Sequence, residues 1–267
     1  MMVRFQKYQG TGNDFIIVDN RDQSLKGLTV ESIRLLCDRH QGIGADGFML
    51  LQEKEGYDFE MKYFNADGYE GSMCGNGGRC ITLFANKAGI NKKVFNFSAI
   101  DGPHEAQIRA ANYVALRMKD VNQIVEQKTD FILNTGSPHL IRFVKGLQQL
   151  DVVKEGRAIR FNKEFAAEGI NVNFIEEEKE ERAVFIRTYE RGVENETLSC
   201  GTGATAAALV CCHTKNGFND VTVKTRGGDL KIEYNKIAET LFDNIWLCGP
   251  AHFVFEGTID LTTGSHA

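Results

Sequence analysis

The feature that most restricts this chain is a cysteine-glycine turn that occurs twice. Residues 73–80 read MCGNGGRC and residues 199–204 read SCGTGA, and each turn leads into an apolar run, 80–85 and then 206–211. Cys74 and Cys200 lie 126 residues apart, and the same offset relates Tyr63 to Tyr189, Gly102 to Gly228, Phe48 to Phe174 and Gly10 to Gly136. Tyr63 and Tyr189 each close an alternating, strand-like segment, DFEMKYF and RAVFIRTY. A common offset carried by scattered matches points to two diverged halves of similar topology. At 267 residues the chain is long enough for two domains of about 130 residues each.

A cysteine where a glycine-rich turn opens a helix sits near the positive end of the helix dipole. That field favours thiolate and leaves backbone N–H groups free to hold an anion. The composition leaves room for such a site in an ordinary globular protein, with 42% hydrophobic and 25% charged residues. A net charge of −5 without a long basic cluster argues against nucleic-acid binding. No apolar stretch is long enough to span a membrane. The opening MMVRFQKYQGTGNDF lacks the pattern of a signal peptide, and the seven cysteines have no framework spacing, so the reducing cytosol is the expected compartment. There is no C-x-x-C and no zinc site is expected; Cys211 and Cys212 read as packing residues inside an apolar helix.

Along the chain, residues 3–8 and 15–18 read as a hairpin around the turn 10–14. Asn13 in that turn reads either as a residue tolerant of left-handed backbone or as a substrate contact. A helix with an imperfect capping box, Thr29 to Ser32, runs to about Asp38. The loop GIGADG at 42–47 is no dinucleotide fingerprint, because it follows a helix and precedes the strand 48–51. Residues 57–64 form the strand leading to Cys74; 94–98 and 105–118 read as strands around the turn 101–103. Residues 75–78 read as a polar turn ahead of a buried helix. The segment 150–161 is helix or strand. Asn171 and Asn173 alternate in a strand and read as residues pointing out to solvent, and 176–182 reads as a solvated hairpin turn. His139 reads either as a satisfied surface histidine or as a site residue mirroring Asn13. The strands 183–189, 221–225, 230–234, 239–247 and 253–255 complete the second half.

If a pseudo-twofold axis faces the two turns toward each other, a ligand between them meets one thiol on each side. Inverting a carbon centre requires removing a proton from one face and delivering one to the other, and a thiolate and a thiol suit the two tasks. Two helix N-termini converging on an α-carboxylate would stabilise the carbanion. No lysine stands in a recognisable Schiff-base context, so pyridoxal phosphate is not implied and no cofactor or metal is expected. The bland alternative is that both cysteines are core residues.

The segments KYQGTGNDF, GIGADG, FNADGYEGSMCGNGGRC, GSPH, NVNF, YERGVENETLSCGTGA and GPA resemble, in this order and over essentially the whole chain, those of the diaminopimelate epimerases. The resemblance implies a pyridoxal-independent enzyme converting LL-diaminopimelate to the meso form, on the route to lysine and peptidoglycan. It implies an α/β (α+β) fold of two pseudo-symmetric domains, each a curved, mostly antiparallel sheet or barrel around a central helix, with the site in the cleft between them. The halves are then 1–119, joined by the strand 252–267, and 120–251. Cys74 corresponds to the proton donor and Cys200 to the acceptor, with direction deciding the roles. Gly75, Asn76, Gly201 and Thr202 would hold the reacting carboxylate through their amides. Asn13, Asn65, Asn171, Glu190 and Arg191 correspond to substrate-binding positions, the last few at the distal amino-acid end, where an acid and a guanidinium suit a zwitterion. His139 and Glu190 correspond to residues that tune the cysteine pKa values. Gly47 and Ser137 stand at binding positions where many relatives have Gln and Asn. A small-molecule substrate and a homodimer are expected, with neither nucleic acid nor membrane as partner.

Three rivals remain open at this point. A proline or hydroxyproline racemase of the same fold tends to carry His where this chain has Asn76. A thiol-redox protein would pair Cys74 with Cys200 or Cys80. A non-catalytic anion-binding module would tolerate loss of either cysteine.

Overall fold

The computed structural model describes residues 2–25, 27–71, 73–178, 183–211 and 215–260. The chain divides into two compact units, Met1–Leu116 with Pro250–Ala267, and Arg117–Gly249. Cys212 and residues 179–182 of the charge run lie outside the described residues. Among the described residues no helix is long and apolar enough to cross a membrane.

The first unit opens with the hairpin β1 (Met2–Gly10) and β2 (Asn13–Asp19), followed by α1 (Val30–Cys37), β3 (Gly47–Gln52), β4 (Phe59–Asn65), α2 (Gly75–Lys87), β5 (Val94–Ala99), β6 (Gly102–Ala110) and β7 (Tyr113–Arg117). The strands are neighbours in that order. The β2–β3 and β4–β5 pairs are parallel and the others antiparallel. The last strand of the chain, His252–Asp260, lies antiparallel to β1, with Phe5 opposite Gly257.

Strands β2 and β3 are buried on both faces, which explains their unbroken apolar runs. Ile16, Val18, Phe48 and Leu50 pack on Ile33, Leu36 and Cys37 of α1. Alternation turns Ile17, Met49 and Met61 the other way, toward α2. Thr29 caps α1 as expected, its hydroxyl accepting the Ser32 N–H. Helix α2 is buried on every side from Gly75 to Ala85, as a central helix wrapped by strands must be.

The second unit contains β8 (Ile124–Gln127), β9 (Asp130–Asn134), β10 (Pro138–Phe143), α3 (Val152–Arg160), β11 (Asn171–Glu178), β12 (Ala183–Glu190), β13 (Asn195–Thr197), α4 (Gly201–Val210), β14 (Gly217–Thr225), β15 (Gly228–Ala238) and β16 (Leu241–Pro250). Its pairings follow the first unit's pattern. The β10–β11 and β12–β14 pairs are parallel, and the hairpins β11–β12 and β14–β15 are antiparallel. Helix α3, capped by Asp151, packs Val152 and Ile159 on Leu140, Val172, Phe174 and Tyr189. Helix α4 is the buried central helix.

The repeat holds in the registers. Phe15 faces Gly47 as Ile141 faces Asn173, and Ser98 faces Pro103 as Lys224 faces Asp229, every residue displaced by 126. It fails at one ladder. Met49 faces Tyr63, but Ile175 faces Ile186, so the displacement there is 123 and Tyr189 is not the partner-equivalent of Tyr63. The segment from Ile186 to Cys200 is correspondingly three residues longer than that from Tyr63 to Cys74.

Other local expectations are corrected. Residues 75–78 are the first turn of α2, not a turn ahead of it. The segment 105–118 is broken by a hairpin at Asn112, whose φ of +59° is left-handed, a conformation Asn tolerates. The segment 150–161 is helix. Cys211 is the C-cap of α4 rather than an interior residue, its thiol bonded to the Ala207 carbonyl at 3.1 Å.

Candidate functional site

Both matched cysteines are helix N-caps, and neither side chain caps its own helix. The first intrahelical bonds are Gly78 N–H to Cys74 O at 2.7 Å and Ala204 N–H to Cys200 O at 2.8 Å. The N–H groups of residues 75–77 and 201–203 therefore stand ahead of the helical ladder, where an anion finds donors and a favourable dipole. Glycine allows each helix start to touch the sheet. A Cβ at Gly77 would lie 2.5 Å from Met49 Cε, and one at Gly203 would lie 2.5 Å from Asn173 Oδ1.

In the first unit, Cys74 is half-buried, with its sulfur 3.5 Å from Asn13 Oδ1. The orientation of that amide is fixed by its surroundings: Nδ2 donates to Asp46 Oδ2 at 2.6 Å, and Oδ1 also accepts from Asn76 Nδ2 at 3.4 Å. Cys74 thus faces an acceptor, and a bond between them needs the S–H. Asn13 is not the left-handed residue of its turn; Thr11 and Gly12 are, with φ of +50° and +83°. Behind Asn13, Asp14 meets Arg39 in a two-point contact and Lys7 at 2.9 Å, and Lys7 also bonds the Gly44 carbonyl. Burial alone would raise the Asp14 carboxyl, but Arg39 and Lys7 hold it down at about 2.

Asn76 is buried and braced by Arg79, one helical turn on. The Arg79 guanidinium is fully buried. It donates to Asn76 Oδ1 at 3.0 Å, to Thr11 Oγ1 at 3.3 Å, and to the carbonyls of Gly75 and Pro250. Arg79 is the chief residue that sequence reasoning passed over, although it lies inside MCGNGGRC at i+3 from Asn76. Gly47 and Asn65 face each other at the ends of β3 and β4, beside Asn13 at the start of β2. A side chain at Gly47 has no room, since its Cβ would lie 2.5 Å from the Tyr63 ring.

In the second unit the side chains linked to the cysteine sulfur are hydroxyls and an imidazole. Cys200 is buried, and its sulfur lies 3.4 Å from Thr202 Oγ1. Thr202 Oγ1 is 3.4 Å from Ser137 Oγ, and Ser137 Oγ is 3.0 Å from His139 Nε2. His139 is fully buried, which removes the surface reading. Burial, with the Arg191 charge adding, pushes its pKa down to about 3, so the imidazole is neutral near pH 7. Asn171 and Asn173 are buried, not solvent-facing as alternation alone implied, because α4 covers that face. Asn171 donates to Ser137 Oγ and Pro138 O, and it accepts the Arg191 backbone N–H at 2.9 Å. Glu190 Oε2 accepts from Thr197 Oγ1 at 2.9 Å, and the Arg191 guanidinium donates to the Glu168 carbonyl at 3.0 Å.

Burial pushes the Cys80 thiol up to about 12, as it does Cys37. A thiol so far from ionising is a poor resolving partner, which weakens a redox pair of Cys74 with Cys80.

Comparison with known proteins bears on the family and the fold. The chain is 46% identical over 258 residues to a diaminopimelate epimerase of Flavobacterium psychrophilum, covering 96% of this chain and 100% of that protein. It is also 46% identical over 262 residues to one of Chlorobaculum tepidum, covering 94% and 99%. Among solved structures, a PhzF-family phenazine biosynthesis protein of Bacillus anthracis matches with a TM-score of 0.75 at 18% identity, over 97% of this chain and 99% of that one. A hydroxyproline epimerase of Agrobacterium vitis matches with a TM-score of 0.70 at 15% identity, over 97% and 91%. These two share the fold: pseudo-symmetric halves, each a mostly antiparallel sheet around a central helix. The sequence model of the diaminopimelate epimerase family covers residues 5–124 and 131–254, taking in both cysteine turns, and with the two close relatives it shows that this chain belongs to that family.

Proposed function

We propose that this chain is a pyridoxal-independent diaminopimelate epimerase, inverting one α-carbon of LL-diaminopimelate to give the meso form. Its two halves, 1–119 with 252–267 and 120–251, each bring one cysteine to the reacting carbon. Cys200 takes the α-proton as thiolate while Cys74 delivers a proton from its thiol to the opposite face, and the roles exchange in reverse. One observation carries the reading. The two matched cysteines are both at helix N-termini, and a side-chain oxygen lies beside each sulfur: the Asn13 amide oxygen, which can only accept, beside Cys74, and the Thr202 hydroxyl, which can donate, beside Cys200.

The amides of Gly75 and Asn76, and of Gly201 and Thr202, are offered to the α-carboxylate, where negative charge develops as the proton leaves. Asn13 and Asn65 meet the substrate from the first half, while Glu190 and Arg191 grip the distal zwitterion. Asn171 acts by fixing the Arg191 backbone. Gly47 provides no side chain, and Ser137 turns its hydroxyl to the protein. The acid-base pair accounts for inversion without an electron-sink cofactor. A homodimer in the cytoplasm, acting on the route to lysine and peptidoglycan precursors, completes the reading.

The test is incubation of the reduced protein with LL-diaminopimelate in D₂O without added cofactor, following α-deuterium and the stereoisomer ratio. Deuterium incorporation with drift to the meso form is expected. Exchange with proline or hydroxyproline alone would move the chain to the racemases, and no exchange with any amino acid would overturn the reading.

A further inference from the structure

The bonds around His139 have a direction that can be worked out from backbone groups alone. Asn173 Nδ2 faces the carbonyls of Leu140 at 3.0 Å and Asn171 at 3.3 Å, which can only accept, so this end of the amide is the donor. The same nitrogen lies 3.1 Å from His139 Nδ1. Facing a donor, Nδ1 must be the unprotonated nitrogen, and the one proton of the neutral imidazole sits on Nε2, toward Ser137 Oγ.

Asn171 is fixed in the same way. Its Oδ1 takes the Arg191 backbone N–H, so Nδ2 is the atom donating to Ser137 Oγ at 3.0 Å. Ser137 therefore accepts from both His139 and Asn171, which uses both lone pairs, and its single proton is left for Thr202 Oγ1. Thr202, now an acceptor, has its own proton left for the Cys200 sulfur. Every link points the same way.

We propose that Ser137 is a positioning residue for Cys200: the one-way chain His139–Ser137–Thr202 presents a donated hydrogen bond to the Cys200 sulfur and keeps it the proton-accepting member of the cysteine pair. This deepens, and rests on, the two-base reading above. A hydroxyl that donates to sulfur stabilises the thiolate, whereas one that accepts from it would stabilise the thiol. Serine is suited to the position because its hydroxyl takes two donors and passes on one proton.

The test reads Cys200 directly, in the reduced Cys74→Ala protein, as the rate at which a small methanethiosulfonate labels it, followed by mass spectrometry of its peptide. Ser137→Ala is expected to slow labelling by about tenfold, the loss of one hydrogen bond to a charged group. Ser137→Thr, which keeps the hydroxyl, is expected to restore it. Thr202→Val breaks the next link and should slow labelling similarly, which guards against a Ser137→Ala protein that folds poorly. Glu190 and Arg191 are unchanged in all of these proteins. Nitrogen-15 NMR of His139 is expected to show the neutral Nε2–H tautomer. Unchanged labelling in folded Ser137→Ala, or an Nδ1–H tautomer, would overturn the proposal. Labelling needs no substrate, so a slowed Ser137→Ala in a protein that exchanges no amino acid would leave the chain of bonds standing and remove only the epimerase reading.

Discussion

The two helix starts have the same backbone and opposite surroundings. At α2 the cysteine is half-buried among charged groups: Asp14, Asp46, Arg39 and Lys7 lie behind Asn13, and the buried Arg79 lies behind Asn76. At α4 the cysteine is buried, and the groups linked behind it are hydroxyls, amides and a neutral imidazole. The lesson is that duplication preserved what the backbone does, two rows of N–H groups at helix N-termini, while the side chains behind each row diverged. An acid and a base can thus be made from one residue type by its neighbours alone.

The largest expected effect breaks the comparison altogether. Cys74→Ala and Cys200→Ala should each lower the rate of inversion by about a thousandfold or more, the scale of a lost general acid or base. The serine variants should leave a trace of activity. Chiral separation of the diaminopimelate isomers checks this, and wild-type turnover in either alanine variant would end the two-base scheme.

Next is the brace behind the first turn. Arg79→Met removes the donors that serve Asn76, Thr11 and two carbonyls, and it should lower stability by about 3 kcal/mol, the scale of hydrogen bonds from a charged group lost inside the fold. Arg79→Lys should not rescue it, because an ammonium cannot reproduce the planar fork. Urea unfolding of the three proteins decides the matter.

The second scaffold should instead be sensitive to acid. His139 is neutral in the fold, its pKa pushed from 6.5 to about 3, so the unfolded chain takes up the proton first. Its contribution is fully present above about pH 6.5 and is lost as pH falls toward 3. The loss relative to His139→Gln amounts to about 2 kcal/mol near pH 5. Parallel stability-pH curves for the two proteins would show that the histidine is not held neutral.

The smallest effect concerns the start of β3, where Gly47 presents no side chain. Gly47→Gln should be destabilising by about 1–2 kcal/mol through collision with the Tyr63 ring. Tyr63→Val should relieve the ring's share of it, leaving the contact with the Phe64 carbonyl, in a double-mutant cycle, and additivity of the two changes would show that they are independent.

Much of this arrangement was legible in the sequence. The two cysteine turns, their common offset and the doubly buried strands β2 and β3 all leave local marks. What was not legible depends on neighbours remote in the chain. Glycine disfavours a helix interior, so GNGG reads as a turn; in the fold it is the first turn of α2, where Gly77 lies against the ends of Met49 and Met61. Alternation placed Asn171 and Asn173 on one face but could not say that α4 covers it. Arg79 carries no local signal of its role, which depends on Thr11 and the Pro250 carbonyl, from both ends of the chain, gathered around it.

The return of His252–Asp260 to β1 bears on the order in which a ribosome can finish this molecule. The first unit is begun first, yet one side of β1 waits for a partner made after the whole of the second unit. The second unit, continuous from Arg117 to Gly249, is complete before that strand emerges and can fold at once. Synthesis therefore runs from one end of the chain to the other, while assembly closes in the reverse sense, with the half that leaves the tunnel first being the last to be sealed.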